Sequence, residues 1–279
     1  MNLDAIKNYK VLVVGDAIYD KYVFVSALGK SIKESVLSVA YVREEVYKGG
    51  VWAAADHLMT FCEKVDVLRG DKVMINTRFV EEVYNRKLFT LHESQDLDSP
   101  SFLPAIEDYD VVIVTDFGHG TMTKDMIKRV ITEAKFLAVN TQTNSNNFGF
   151  NVITKYPQAD YVVVDELEAR LAAHDKDSTL ETVITRLGYN KIAVTLGKHG
   201  AIGFDGGFCY EEAKDDLEHP IVDTMGAGDA FLCVTAPFAC AGFNMPDLLK
   251  IGNAAGAIKM GILGHSKSVT KDRLLMELP

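Results

Sequence analysis

Asp223-Thr224-Met225-Gly226-Ala227-Gly228-Asp229-Ala230-Phe231 runs without a break into an apolar segment over residues 232–241. Two glycines around an alanine let successive backbone N–H groups crowd toward one point, and the helical run behind them adds the positive end of its dipole. The stretch is a seat for an anion. A carboxylate one residue past the last glycine is repelled by a bound phosphate unless it takes a proton from the attacking group. Asp229 therefore reads as the general base of a phosphoryl transfer. A glycine-bearing turn before a buried helix, capped by Asp223 and Asp229, is the alternative account of the same residues.

Upstream, the chain alternates. Lys10-Val11-Leu12-Val13-Val14-Gly15-Asp16 is a short apolar run closed by Gly-Asp, the form of a strand buried on both faces of a parallel sheet. Similar runs recur at 111–115, 136–140, 161–165 and 192–196, with helical patterns between them over 126–134 and 180–187. The alternation predicts right-handed βαβ crossovers and a doubly wound α/β sheet whose ligands lie beyond the carboxyl ends of the strands. Residues 17–95 break this rhythm: 22–25, 36–42, 78–83 and 87–91 read as strands, Tyr84-Asn85-Arg86 as a hairpin turn and 51–61 as the one helix. They predict a second, smaller sheet.

With 279 residues and 48% hydrophobic content, the chain is expected to bury a full core as one large α/β domain over 1–279. A formal net charge of −10 argues against a nucleic-acid partner. Four cysteines, at 62, 209, 233 and 240, form no C-x-x-C pair and read as reduced packing residues. The amino terminus carries no apolar signal core, and no later run is long enough to span a bilayer, so a cytoplasmic protein with no membrane partner is expected.

The string at 223–229 resembles the D-T-x-G-A-G-D signature of the ribokinase-like (phosphofructokinase-B) carbohydrate kinases, a far more specific pattern than a lone G-x-G. The resemblance implies a ribokinase-like doubly wound, mainly parallel sheet with helices on both faces. It also implies a small β-sheet lid from about 17–45 and 76–95 that covers the sugar site and forms a homodimer interface. In such enzymes the amides of Gly226, Ala227 and Gly228 would stabilise the transferring phosphoryl group and Asp229 would activate a substrate hydroxyl. Thr224, inside the signature, falls with the nucleotide-binding residues. ATP and Mg²⁺ are the implied cofactors, with a monovalent cation near the anion hole as a further family feature.

Other segments follow in the family's order. Gly15-Asp16-Ala17-Ile18-Tyr19-Asp20 places two carboxylates past the first strand, able to accept hydrogen bonds from a polyol or to serve as an N-cap and a solvated acid. G-D-x-x-x-D opens the superfamily's heptose-phosphate kinases, which makes Asp16 and Asp20 substrate candidates. Gly49 and Gly50 match its Gly-Gly substrate motif, although Ala53 stands where the family usually has asparagine. Thr115-Asp116-Phe117-Gly118-His119-Gly120 resembles the heptose kinases' S-D-Y-G-K-G segment. Asp116 and His119 thus join the substrate side, the histidine mostly neutral near pH 7.

Asp165-Glu166-Leu167-Glu168 occupies the place of the family's N-x-x-E segment, linked to magnesium and phosphate positioning, while favourable acids at a helix start explain it without chemistry. Thr195-Leu196-Gly197-Lys198-His199-Gly200 resembles the T-x-G-x-x-G nucleotide turn, with a simple hairpin as the competing reading. Asn253, in the small-residue stretch 252–257, is the polar candidate beside adenine. The polar stretch 140–147 reads either as a surface loop or as a hydrogen-bonding loop at the active-site edge.

The resemblance spans roughly residues 10–270 and lies nearest to the kinase half of bifunctional heptose-phosphate kinase/nucleotidyltransferases. It implies ATP-dependent phosphorylation of a sugar or sugar phosphate, with a heptose 7-phosphate as the leading candidate. Lys21, Lys33, Arg43, Lys48, Arg78 and Arg86 are available to meet a substrate phosphate. A kinase for another small polyol or nucleoside is the alternative that Ala53 motivates. A catalytically silent nucleotide- or sugar-binding domain is the one that Asp165 and His119 motivate. A nucleotidyltransferase activity is expected on a partner or on another part of a longer protein.

Overall fold

The computed structural model describes residues 2–93, 97–212 and 221–278. Strand β1 (Lys10–Gly15) continues after Asp16 into β2 (Ala17–Lys30), which returns as β3 (Leu37–Gly50) before helix α1 (Val51–Asp56). Next come β4 (Lys64–Leu68), β5 (Met74–Glu81), β6 (Arg86–Glu93), β7 (Val111–Asp116), α2 (Lys124–Glu133), β8 (Leu137–Thr141) and β9 (Tyr161–Asp165). The carboxyl-terminal half holds α3 (Glu166–Ala173), α4 (Leu180–Leu187), β10 (Lys191–Thr195), β11 (Ala201–Asp205), β12 (Phe208–Glu212), α5 (Ala227–Cys240), α6 (Met245–Met260) and α7 (Lys271–Glu277).

An eight-stranded sheet, in the order β12-β11-β10-β9-β8-β7-β1-β4, forms the body. Pairing is parallel from β10 to β4 and antiparallel only at the β11–β12 edge. The period of two along β1 sorts its side chains between two cores. Val11 and Val13 pack in one with Ala54 of α1, Phe231 of α5 and Leu248 of α6. Leu12 and Val14 pack in the other with Val130 of α2, Ala169 of α3 and Ile184 of α4. Helices thus cover both faces, the arrangement a continuously apolar strand requires.

The second sheet, in the order β3-β2-β5-β6, has four strands. β2 and β3 are 14 residues each, far longer than the apolar pieces at 22–25 and 36–42. The end of β2 beyond Val25 and the charged stretch 43–48 of β3 are largely exposed, so the apolar period that marks a half-buried strand is absent there. The anticipated turn at 84–86 is present, with Asn85 left-handed at φ 52°. Of the expected lid range, Ser94 and Gln95 lie outside the described residues. Helix α1 stops at Asp56 rather than Phe61, because the chain turns through tight bonds from Leu58 N to Ala55 O and from Phe61 N to Leu58 O. Strands β4, β11 and β12 add to those read from the sequence.

The two sheets meet where β1 passes into β2 and β3 into α1. There the Val51 amide donates to Asp16 O at 3.0 Å. Gly50 has φ 58°, and a Cβ on it would lie 2.3 Å from the same carbonyl. Only glycine fits that junction.

Candidate active site

Gly226 is the N-cap of α5 with φ 76°, and Ala227, Gly228 and Asp229 form the first turn. The amides of a first helical turn have no partner within the helix and project beyond it. A Cβ at Gly228 would meet no protein atom within 4 Å, so the fold leaves open space there. Asp229 is buried against this turn, and burial pushes its carboxyl up to about 6 while His265 and Lys259 act in the opposite direction. A carboxyl in that range is mostly ionised near neutrality yet basic enough to accept a proton.

Asp223 opens the signature as a structural anchor. It accepts hydrogen bonds from the Tyr22 hydroxyl (3.0 Å), Lys87 Nζ (2.9 Å) and the amides of Met225 (3.2 Å) and Gly264 (3.1 Å). Burial works upward on its carboxyl, but Lys87 and the two amides leave it below the usual range. Since Tyr22 and Lys87 belong to the small sheet, Asp223 ties that sheet to the anion hole. Thr224 beside it is exposed.

Asp20 pairs with Arg78 and lies 3.2 Å from His265 Nε2. Burial works upward on it too, and His265 and Arg78 bring it below its ordinary value. The Gly49 position leaves room for this group, since a Cβ there would fall 2.0 Å from Asp20 Oδ2. Asp20, Gly49, Gly50 and Asp229 thus share one end of the molecule with His265.

Asp16 and Asp116 sit deeper, at 0% and 1% exposure. Asp16 accepts the amides of Phe117 (3.0 Å), His119 (3.1 Å) and Thr121 (3.2 Å). Burial and Asp116 raise it above its ordinary value. Asp116 accepts from the Tyr156 hydroxyl and Lys155 Nζ, both at 2.6 Å, and from the Gly118 amide at 3.0 Å. Both carboxylates therefore hold the 117–121 turn in place. His119 is partly buried in that turn, and burial lowers its pKa, which keeps the ring neutral. The polar loop supports the same turn, with Asn144 and Asn147 each donating to Phe117 O at 2.8 Å. The loop is partly exposed and hydrogen-bonded to this turn, so it has features of both readings.

On the other side of α5, Thr195, Gly197, Lys198 and Gly200 from the β10–β11 connection face Gly228 and Asn253 across a cleft. The segment is both the connection of an antiparallel pair and a wall of this cleft. Asn253 Nδ2 donates to Glu212 O at 3.0 Å. Gly252 lets α6 approach Phe231, because a Cβ there would fall 2.4 Å from the ring. Gly252→Ala is expected to cost about 1–3 kcal/mol by overpacking, and to weaken nucleotide binding as the ring shifts toward the cleft. A melting curve and an ATP titration on the variant check both effects.

Asp165 and Glu168 form a reciprocal capping box on α3. Asp165 Oδ1 accepts the Glu168 amide at 2.7 Å, Glu168 Oε2 accepts the Asp165 amide at 2.9 Å, and Glu168 Oε1 accepts the Thr143 amide at 2.9 Å. Burial and the Asp165 charge push Glu168 up to about 8. Among the described residues, no group of three or more His, Cys, Asp and Glu side chains converges on one point. Both Glu168 oxygens and Asp165 Oδ1 thus accept main-chain amides.

Two side chains central to the site escaped the sequence reading. His265 lies against both Asp20 and the Gly226 turn. Lys259 is fully buried beneath that turn. A lysine within the small-residue run 252–260 was the available signal, since buried lysines occur only with partners.

The open start of α5 and the cleft beside it suit a phosphotransferase with an alcohol group as acceptor, and the family match shows one. The pfkB family carbohydrate kinase pattern matches residues 71–271, and the chain belongs to that family. ATP use with a divalent metal goes with the family. Bifunctional protein HldE of Campylobacter jejuni subsp. jejuni serotype O:6 is 24% identical over 306 aligned residues, covering 95% of this chain and 64% of that protein. Fructoselysine 6-kinase of Escherichia coli K12 is 35% identical over 92 residues, 31% of this chain and 33% of its own. The chain thus spans less than two thirds of the bifunctional relatives. In fold it is similar to the ribokinase of Thermotoga maritima (TM-score 0.72, 15% identity, 96% of this chain and 99% of that one). It is likewise similar to the Arabidopsis thaliana ribokinase solved with ribose and ATP (TM-score 0.71, 13% identity, 97% and 98%). The architecture is therefore ribokinase-like. Among the described residues, no helix is long and apolar enough to cross a membrane.

Proposed function

We propose that this sugar kinase phosphorylates a hydroxyl of a sugar phosphate, with a heptose 7-phosphate as the first candidate. The carrying observation is Asp229, a buried carboxylate raised to about 6 in the first turn of α5, with open space over Gly228. Bound ATP with its Mg²⁺ supplies the γ-phosphoryl group. Asp229 takes the proton of the attacking hydroxyl, and the amides of Gly226, Ala227 and Gly228 receive the charge on the phosphoryl oxygens. Thr195, Gly197, Lys198, Gly200, Thr224 and Asn253 form the nucleotide side, with Asp165 and Glu168 at its metal-facing edge. Asp20, Gly49 and Gly50 form the sugar side, while Asp16, Asp116 and His119 supply its rigid wall.

A second hollow beside the His265–Asp20 contact, lined by Ala53, Asp56, His265, Ser266, Lys267 and Ser268, is the place we assign to a substrate phosphate, with Lys267 set against the Asp56 carboxylate. Ala53 leaves space where the family has asparagine, and Lys267 brings charge to the opening. Of the lid cations, Lys21, Arg43 and Arg78 are already ion-paired to Glu44, Glu82 and Asp20. ADP formation against heptose 7-phosphates, hexose phosphates, neutral sugars and nucleosides tests this reading. Turnover is expected with a phosphosugar, and Lys267→Gln is expected to raise its KM about tenfold while leaving a neutral sugar's KM unchanged. Turnover confined to neutral sugars or nucleosides would transfer the assignment to the other polyols that Ala53 permits. ATP binding without any turnover would favour the silent domain.

The small sheet exposes Leu28, Leu37, Tyr41 and Val46, which supports its use as a homodimer interface. Cys62 and Cys233 are buried as packing residues, which accords with a cytoplasmic setting. A nucleotidyltransferase partner or attached domain is proposed from the bifunctional relatives alone.

A further inference from the structure

The family resemblance implies a monovalent cation near the anion hole. Here a lysine stands in a cage of the kind that would hold one. Lys259 is 0% exposed, and its Nζ lies 2.7 Å from both Met225 O and Gly264 O. Asp223 flanks the pair, since its Oδ2 accepts the Gly264 amide at 3.1 Å and Oδ1 the Met225 amide at 3.2 Å. Main-chain carbonyls converging beside a carboxylate form the oxygen environment that hard cations and potassium take. Burial pulls the Lys259 pKa down, while the charges of Asp223, Asp229 and Asp20 act to keep the ammonium protonated against Lys87.

The location gives this contact a consequence for chemistry. Met225 C=O and Gly226 N–H are opposite ends of one peptide plane, so fixing the carbonyl fixes the direction of the first anion-hole donor. The lysine stem packs directly under that turn, with Cε 3.2 Å from where a Gly226 Cβ would be. Through Gly264 the same ammonium holds the segment that brings His265 to within 3.2 Å of Asp20. One buried charge therefore braces both the phosphoryl and the sugar sides. Nothing comparable is needed for helix packing, because a lysine buried without such partners is strongly unfavourable.

We propose that Lys259 is a tethered cation in the place of a bound monovalent ion, a positioning residue that orients the Gly226 peptide and frees the enzyme from any need for potassium. The inference rests on the kinase reading for its effect on rate, but its structural half does not.

The test compares wild type, Lys259→Ala and Lys259→Arg in chlorides of potassium, ammonium, sodium and choline at matched ionic strength. Wild-type kcat and melting temperature are expected to be the same in potassium and choline. Lys259→Ala is expected to lose about 10²-fold in kcat, with partial recovery in potassium or ammonium but not choline. Its melting temperature without nucleotide or sugar should rise in the same two salts, and this readout stands even if no substrate is turned over. Should Lys259→Ala fail to fold, Lys259→Gln is read in the same way. Potassium stimulation of the wild type, or a folded variant whose melting temperature ignores every cation, would overturn the proposal.

Discussion

Asp229→Asn is expected to lower the rate of ADP formation by about 10³-fold, while the variant folds, binds ATP and melts at a higher temperature than wild type at pH 7. The two effects share one cause. Burial raises the Asp229 carboxyl from 3.8 to about 6, so the native state binds its proton more tightly than the unfolded chain does. Stability from this group is therefore fully present below about pH 4 and is lost as pH rises through about 6. At pH 7 the ionised carboxylate then costs on the order of 3 kcal/mol, and asparagine relieves part of that. The active site is held in a state the fold would prefer to neutralise, as expected of a group kept for proton transfer. Melting curves at pH 4 and pH 7 check the sign: the advantage of Asp229→Asn should shrink at the lower pH.

The second large effect is expected at Asp16. Asp16→Ala leaves the amides of Phe117, His119 and Thr121 without their acceptor in a buried site. At about 1–3 kcal/mol for each orphaned group that water cannot reach, the three amides together put the expected loss at roughly 3–9 kcal/mol. Asp16→Asn retains one acceptor oxygen and should recover about half of it. With the 117–121 turn as the proposed wall of the sugar side, kcat/KM should fall in step with stability across the two variants. Urea unfolding alongside steady-state kinetics checks this. A stable Asp16→Ala with only a raised sugar KM would instead make Asp16 a direct sugar ligand.

The frame of this protein was legible because β1 and β7 to β10 are buried on both faces, which forces nearly unbroken apolar runs such as Val11 to Val14. The open helix start was legible because it is local: Gly226, Ala227, Gly228 and Asp229 are consecutive in the chain and form the N-cap and first turn of α5. The strands of the small sheet were read too short, since 26–30 and the charged stretch 43–48 are largely exposed and carry no burial pattern. That Asp16 accepts the amides of Phe117 and His119 was not legible, because a sequence does not show which backbone amides a hundred residues away meet a carboxylate. His265 and Lys259 were missed for the same reason in reverse. His265 reaches Asp20 from the far end of the chain, and the Lys259 partners Met225 and Gly264 only come together once α5 and α6 pack. The D-x-x-E spacing at Asp165 and Glu168 was a visible capping box, and the family position pointed equally to metal chemistry.

ADP formation as a function of pH, for wild type and Asp229→Asn side by side, tests the central claim most directly. The wild-type kcat/KM should fall tenfold per pH unit below about 6 as Asp229 takes up its proton. The residual rate of Asp229→Asn should lie about 10³-fold lower and lack that limb. A folded Asp229→Asn that turns over at the wild-type rate, or a wild-type profile flat from acid to neutral pH, would contradict it.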